Sequence, residues 1–384
     1  MKKKISVLGF VLIIIGFGIY YLIGPERINS ILDQQAPVIN IDELPSFYRL
    51  GTDFDYSIIK CEDNIDKTCT VERSSDFNIN LEGLQTITLT AIDNAGNKAV
   101  YSYTIEIVES FDGSMFIPKG YYDSIEGLQG EELKSKLNDI ITGHIEFPYT
   151  DDETDVWDIL KEADEDPDNP NNVILFYTGL SWYKDCQDTT YPPDFCEMEI
   201  ESEVEIIEWN REHIWSKSRG DFEIKEGTTS VLDMGAHTDL HHLVAAERTM
   251  NSIKNNRMFE DCNSETDQNV TDVGYGNYTC NEWSFEPRDE VKGDVARMLF
   301  YMAVRYEGEE GDMVDLELTN DLIVDKSSKL PFYGYLEDLL KWHIQDPVSE
   351  KEVLRNQVIY SYQRNRNPFI DRPELVELIW GSSN

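Results

Sequence analysis

The chain has 384 residues, and its 33 Lys+Arg stand against 74 Asp+Glu for a formal net charge of −41. A hydrophobic content of 40% with 11% aromatics excludes a disordered acidic chain, which could not bury enough apolar surface to offset its ordering entropy. The charge excludes nucleic-acid binding through a basic overall field, so any phosphate chemistry needs a local basic site or a metal ion.

Lys2, Lys3 and Lys4 precede an uncharged run over residues 5–24. As a helix, such a run spans about 30 Å, one hydrocarbon core, and the lysines predict a cytoplasmic amino end. It lacks a small-x-small cleavage site and a lipid-attachment cysteine, so residues 1–24 read as an uncleaved single-pass membrane anchor. A cleaved signal is the rival, and either exports the remainder to the extracellular side. The cysteines suit that oxidising compartment. They fall at 61 and 69, 186 and 196, and 262 and 280, without the C-x2-C spacing of a zinc site. Pairing neighbours predicts the disulfides Cys61–Cys69, Cys186–Cys196 and Cys262–Cys280, with other connectivities open.

Residues 36–109 carry 5 basic and 13 acidic groups and read as short strands. Residues 77–81, 85–91 and 99–108 alternate in polarity, separated by turns at Glu82-Gly83 and Asp93-Asn94-Ala95-Gly96-Asn97. This pattern predicts a small antiparallel sandwich. The phrase LTAIDNAGNKA resembles bacterial immunoglobulin-like surface modules, which implies an immunoglobulin-like spacer domain over 36–109.

Residues 110–384 carry 24 basic and 59 acidic groups and predict a mixed α and β domain. Residues 151–170 hold ten acids and a single Lys161. Their D-x-D-x-D spacing suggests a calcium loop, but Asn169 replaces the required Gly and Leu175 the Glu, so a solvated acidic loop is expected. Val173-Ile174-Leu175-Phe176-Tyr177 predicts a buried strand. A helix is predicted over Glu286 to Tyr306 from Val291, Val295, Leu299 and Met302, and another after the capping box Ser349-Glu350-Lys351-Glu352.

Residues 209–256 hold most of the functional signal. They include Trp209-Asn210-Arg211-Glu212-His213, four of the six histidines (213, 237, 241 and 242) and Met250-Asn251-Ser252-Ile253-Lys254-Asn255-Asn256. Residues 210–260 contain seven basic and eight acidic groups, so a polyanion can approach there. Phosphodiester hydrolysis needs a base that titrates near neutrality, which suits histidine. It also needs a hard cation held by a carboxylate and a neutral oxygen. On a regular strand Glu212 and His213 point to opposite faces, so a shared site requires a bend or bulge. His237 and His241 have the i,i+4 spacing of a zinc pair, but no carboxylate or cysteine completes a site.

The blocks WNREHIWSKS, TDLHHLVAAERTMNSIKNN, FEPRDEVKGDVARMLFYMAVRY and YQRNRNPFIDRPELVELIW resemble the endonuclease I family of secreted bacterial nucleases. These are ββα-metal, or His-Me finger, enzymes. The resemblance implies an α+β catalytic domain over 110–384, with Mg²⁺ (Mn²⁺ or Ca²⁺ as substitutes) held by Glu212 and Asn251. It makes His213 the general base with Glu212 beside it, and DNA, RNA or both the substrate of a monomeric enzyme. Lys254 stands where the family has Arg, and Ser216 follows Trp215 where the family has Pro. Lys217, Arg219, Lys254 and Asn256 are then candidate substrate contacts, and His241 and Asp239 supporting residues behind the metal ligands. Lys292, Asp294, Arg297 and Arg366 read as packing and ion-pair residues. The alternatives are a surface adhesin with an inactive nuclease fold, for which the acidity speaks, and a nuclease acting chiefly on RNA.

Overall fold

The structure, a computed structural model, describes residues 33–41, 47–51, 59–65, 69–74, 77–108, 116–188, 193–200, 203–220, 234–308 and 314–381. The expected membrane segment at 5–24 lies outside these residues. Among the described residues no helix is long and apolar enough to cross a membrane. The chain divides into two compact units, Met1–Phe111 and Asp112–Asn384.

The described residues of the first unit form strands: β1 (Val38–Ile41), β2 (Phe47–Arg49), β3 (Ile59–Glu62), β4 (Thr70–Arg73), β5 (Gly83–Ile92) and β6 (Lys98–Val108). β1 pairs with β3, and the other four form a sheet in the order β2-β6-β5-β4. The alternation in β5 sends Ile87, Leu89 and Ala91 inward, to pack with Ile105, Ile107 and, from the smaller sheet, Ile39. The expected sandwich was wholly antiparallel, but β2 runs parallel to β6. That strand falls outside the alternating segments from which the sandwich was read.

The second unit opens with α1 (Gly130–Ile141) and α2 (Val156–Ala163), followed by a three-stranded sheet of β7 (Glu165–Asp166), β8 (Asn169–Ile174) and β9 (Ser181–Tyr183). A hairpin of β10 (Glu197–Ile200) and β11 (Glu203–Ile206) precedes β12 (Trp209–His213), β13 (Leu243–Glu247) and α3 (Arg248–Lys254). A second sheet contains β14 (Met258–Phe259), β15 (Thr271–Gly274), β16 (Asn277–Cys280) and β17 (Ser284–Glu286). Then come α4 (Lys292–Arg305), β18 (Glu317–Thr319), β19 (Phe332–Tyr335), α5 (Leu336–Gln345), α6 (Glu350–Gln363), α7 (Pro368–Asp371) and α8 (Leu375–Trp380). The disulfides join Cys61 to Cys69, Cys186 to Cys196 and Cys262 to Cys280, as neighbour pairing predicts.

Three local expectations need correction. The acidic stretch 151–170 is not a solvated loop, because it contains α2. Val156, Ile159, Leu160 and Ala163 recur at helical spacing and are buried, while Asp155 and Asp158 form a capping box. The strand expected at 173–177 ends at Ile174. Gly179, at φ +69°, turns the chain there, and Leu175, Phe176 and Tyr177 are buried in that turn. The helix expected from Glu286 begins at Lys292, because β17 claims Glu286 and a single 3₁₀ turn covers Asp289–Val291. All fourteen residues of α4 are buried, and Gly293 is obligatory there, since a Cβ would stand 2.0 Å from the Asp346 carbonyl oxygen. The capping box of Ser349 and Glu352 forms as expected and opens α6.

Two cores meet across β12 and β13. Leu243 and Ala245 face the cluster of α2, β8 and Trp209, whereas Val244 and Ala246 face the larger cluster around α4. A strand covered on both sides needs apolar residues throughout, which is why Leu243-Val244-Ala245-Ala246 shows no alternation.

Candidate active site

β12, β13 and α3 follow one another as strand, strand and helix, with the antiparallel ladder pairing Glu212 with Val244 and His213 with Leu243. The Glu247 carboxylate starts α3 by accepting from Thr249 N and Met250 N, each at 2.7 Å. Met250 anchors the helix in the core, which turns Asn251 toward a cavity of about 500 Å³. Glu212, His213, Arg211, Tyr149 and Lys217 line the same cavity. The ladder keeps its register through His213, so the bend expected between Glu212 and His213 is not needed. β12 ends at His213, and side chains from both faces of the strand reach the cavity at its end.

The His213 ring is buried and held on one edge, with Nε2 2.9 Å from the His237 carbonyl oxygen. A carbonyl only accepts, so Nε2 carries the hydrogen and Nδ1 is left as the basic nitrogen. The ring stacks between His237, at 5.0 Å and 15°, and Tyr149, at 5.7 Å and 28°. Burial, reinforced by His242 and His237, holds its pKa well below the ordinary value, and the ring is neutral at pH 7.

Glu212 is buried beside it. Its Oε1 accepts from the Tyr177 hydroxyl at 3.0 Å and from Lys254 Nζ at 2.8 Å, which leaves Oε2 for the cavity. Burial pushes the Glu212 carboxyl up, while Lys254 and Tyr177 pull it down. Burial also opposes the Lys254 ammonium, but Glu212 more than offsets this and holds its pKa above the ordinary value. Asn251 donates Nδ2 to Asn210 Oδ1 at 2.7 Å, so its own Oδ1 is the atom free to act as a ligand.

Several expected substrate contacts are engaged elsewhere. Lys254 is fully buried, and its Nζ also reaches His213 O, Ile214 O and Ser216 Oγ, so it props up the strand end and meets no phosphate. Arg219 is likewise buried, and its guanidinium donates to the Asn256 and Ile323 carbonyls. Asn256 borders the cavity, but its amide ties loops together: Oδ1 accepts from Trp283 Nε1, and Nδ2 donates to Ser218 Oγ and Lys326 O. Lys217 is half-buried at the cavity and meets no carboxylate among the described residues.

Asp239 and His241 support the fold at a distance from the cavity. Asp239 accepts from Tyr301 Oη, Tyr306 Oη, His241 N and Gln363 Nε2. Despite burial, His144 and His241 hold its carboxyl far below the usual range. His241 bonds the Asn365 carbonyl and packs on Tyr301. The neighbour of His241 in sequence, His242, does lie near His213, at 5.4 Å, beyond the stacked His237 at 5.0 Å. His237, in the 3₁₀ turn Gly235–His237, stacks on His213, whereas His241 packs on Tyr301, and among the described residues neither belongs to a metal-ligand group. Arg366 and Arg297 are buried in ion pairs with Asp371 and Glu352, as packing residues should be.

Sequence reasoning missed Tyr149, Tyr177, Asn210 and Arg211. Asn210 and Arg211 adjoin the Glu-His pair, and that adjacency was the one signal available. The Arg211 guanidinium lies 3.4 Å over the Tyr149 ring and 4.1 Å over the Trp157 ring and bonds the Tyr149 carbonyl, so a cation stands at the cavity wall.

The sequence model of the Endonuclease I family matches residues 129–374. The chain is similar to the protein named extracellular ribonuclease of Bacillus subtilis (strain 168), with 46% identity over 261 residues, 68% of this chain and 78% of that one. It is also similar to the extracellular ribonuclease of Bacillus amyloliquefaciens, with 44% identity over 291 residues, 76% of this chain and 87% of that one.

Proposed function

Since the chain belongs to the endonuclease I family, we propose that it is an extracellular endonuclease that hydrolyses internal phosphodiester bonds with the help of a divalent cation. The observation that carries this reading is the convergence of Glu212, His213 and Asn251 on one cavity, with His213 Nδ1 as its basic nitrogen.

The donor set fits a hard cation. Glu212 offers a carboxylate oxygen and Asn251 an amide oxygen, both on the cavity wall, a combination of hard oxygen donors suited to Mg²⁺, with Mn²⁺ or Ca²⁺ as substitutes. When bound, such an ion supplies charge stabilisation to the phosphate and the departing oxygen. His213 accepts the proton of the attacking water at Nδ1, and the His237 carbonyl keeps the ring in the productive tautomer and steadies the imidazolium that results. Lys254 and Tyr177 hold Glu212 in place, and Asn210 holds the Asn251 amide. Arg211 and Lys217 are the cations that meet the substrate backbone, which favours a sugar-phosphate grip over base reading.

RNA is a substrate by analogy with the relatives' names. A base acting on water makes no use of a 2′-hydroxyl, so the same machinery serves DNA. The first unit reads as an immunoglobulin-like spacer, and residues 5–24 as the anchor or export signal. The adhesin alternative is disfavoured because Glu212, His213 and Asn251 line one cavity.

The test incubates the protein with supercoiled plasmid and with total RNA, each with Mg²⁺ or EDTA, beside His213→Ala. Metal-dependent cleavage that falls about 10²–10⁴-fold in the variant is expected. Absence of cleavage of both polymers by folded protein would overturn the reading.

A further inference from the structure

We propose that the first unit carries a structural calcium site formed by Asp33, Asp63 and Asp93, separate from the nuclease chemistry. The three come from distant parts of the sequence. Asp33 precedes β1, Asp63 follows β3, and Asp93 follows β5. Antiparallel pairing of β1 with β3 sets Val38 opposite Glu62 and draws the first two together, while the Cys61–Cys69 disulfide closes the loop that carries Asp63. The Asn97 amide donates to the Asp33 carbonyl at 3.2 Å and to Asp93 Oδ2 at 2.8 Å, which joins the third loop to the first. One carboxylate oxygen from each aspartate then lies within 4.8 Å of the others. Oxygens around a single Ca²⁺, at 2.3–2.6 Å from the ion, stand no more than about 5 Å apart, so the spacing needs little adjustment.

Crowded aspartates at loop tips are often only turn acceptors, and part of this cluster behaves so. Asp33 Oδ1 takes Gln35 N at 3.0 Å, and Asp93 takes Asn97 N at 2.8 Å and the Asn97 amide. Asp33 departs from that account. It is only 7% exposed, and its Oδ2 is buried without a hydrogen-bond partner. Every donor that reaches Asp33 and Asp93 is neutral, and among the described residues neither meets a basic side chain. Neighbouring carboxylates such as those of Asp33 and Asp93 repel one another, and the buried unsatisfied oxygen of Asp33 costs free energy. A divalent ion removes both penalties. Ligation by several carboxylates suits the larger, more tolerant Ca²⁺ better than Mg²⁺, which demands near-ideal octahedral geometry and retains its waters.

The experiment measures calcium binding to the full-length protein carrying Glu212→Gln, which removes the candidate catalytic carboxylate from the count. Equilibrium dialysis is expected to give one bound ion with a dissociation constant of about 0.1–1 mM, the range of extracellular modules. Adding Asp33→Asn, which preserves shape, should weaken binding about tenfold or more, and Asp93→Asn should do likewise. On the Glu212→Gln chain itself, calcium should slow amide exchange at residues 63–65 and 93–97, a readout that does not depend on either aspartate variant folding. No bound calcium, unchanged affinity in both variants, no protection of these loops, or equal affinity for Mg²⁺ would each overturn the proposal.

Discussion

Lys254→Met tests whether the buried Lys254–Glu212 pair is what holds the site. Methionine keeps the length and bulk of the stem, so the change removes a charge and its donors with little loss of packing. The ammonium it deletes serves Glu212 Oε1 at 2.8 Å, Ser216 Oγ at 2.9 Å, His213 O at 3.1 Å and Ile214 O at 3.2 Å, all without access to solvent. Removing one partner of a buried ion pair costs about 3–5 kcal/mol, because the other charge is left uncompensated. For a unit of this size each kcal/mol lowers the melting temperature by about 2–4 °C, so the fall should be near 10 °C. Scanning calorimetry in EDTA reads this without interference from any metal. Lys254→Arg keeps a cation at the position and should recover much of the loss. A Lys254→Met protein that melts within about 2 °C of the parent would refute the reasoning and make Tyr177 alone sufficient to hold Glu212.

Three further outcomes are expected. Asn251→Ala should lower kcat/KM by about a hundredfold or more with an unchanged melting temperature, whereas Asn251→Asp, which retains an oxygen ligand, should keep part of the activity; equal losses would argue against ligation through Oδ1. Breaking the Cys186–Cys196 disulfide by double alanine substitution should destabilise the second unit by about 2–3 kcal/mol, read by denaturant unfolding, since the loop it closes spans 10 residues. In α4, burial and the neighbouring Glu352 push the Asp294 carboxyl up to about 8 from 3.8, so the folded state holds a proton that the unfolded state has released. Its contribution therefore weakens stability as pH rises from about 4 to about 8. The melting temperature of Asp294→Asn minus that of the parent should accordingly grow between pH 5 and pH 8, and a flat difference would contradict a shared proton with Glu352.

The residues that line the candidate site were legible in the sequence, and their surroundings were not. Glu212, His213 and Asn251 stand in blocks long enough to identify, and the strand, strand and helix that carry them follow in chain order. Charge is visible in a sequence, but burial is not: Lys254 and Arg219 read as phosphate contacts, and only the structure shows that they are buried and serve backbone carbonyls. In residues 151–170 the ten acids masked the spacing of Val156, Ile159, Leu160 and Ala163. The bend expected at Glu212 and His213 followed correctly from strand geometry, but it assumed a site lying beside the strand rather than at its end. Tyr177 could not be found from sequence, because its link to Glu212 crosses 35 residues and depends on the turn at Gly179.

The pairing of Lys254 with Glu212 also shapes the approach of a polyanion. Among the described residues it cancels the one carboxylate on the cavity wall and leaves Arg211 and Lys217 as the local surplus, on a chain whose formal charge is −41. A chain of that charge repels nucleic acid overall, and the cavity offers it two cations. At physiological ionic strength the Debye length is about 8 Å, so a strand at the cavity senses Arg211 and Lys217 more than the distant acids. Dilution of salt lengthens that reach and lets the whole negative field oppose the encounter. Most proteins that bind nucleic acid lose affinity as salt is added; here moderate salt should speed association, and the acidic exterior acts as a filter that spares the enzyme from unproductive contacts.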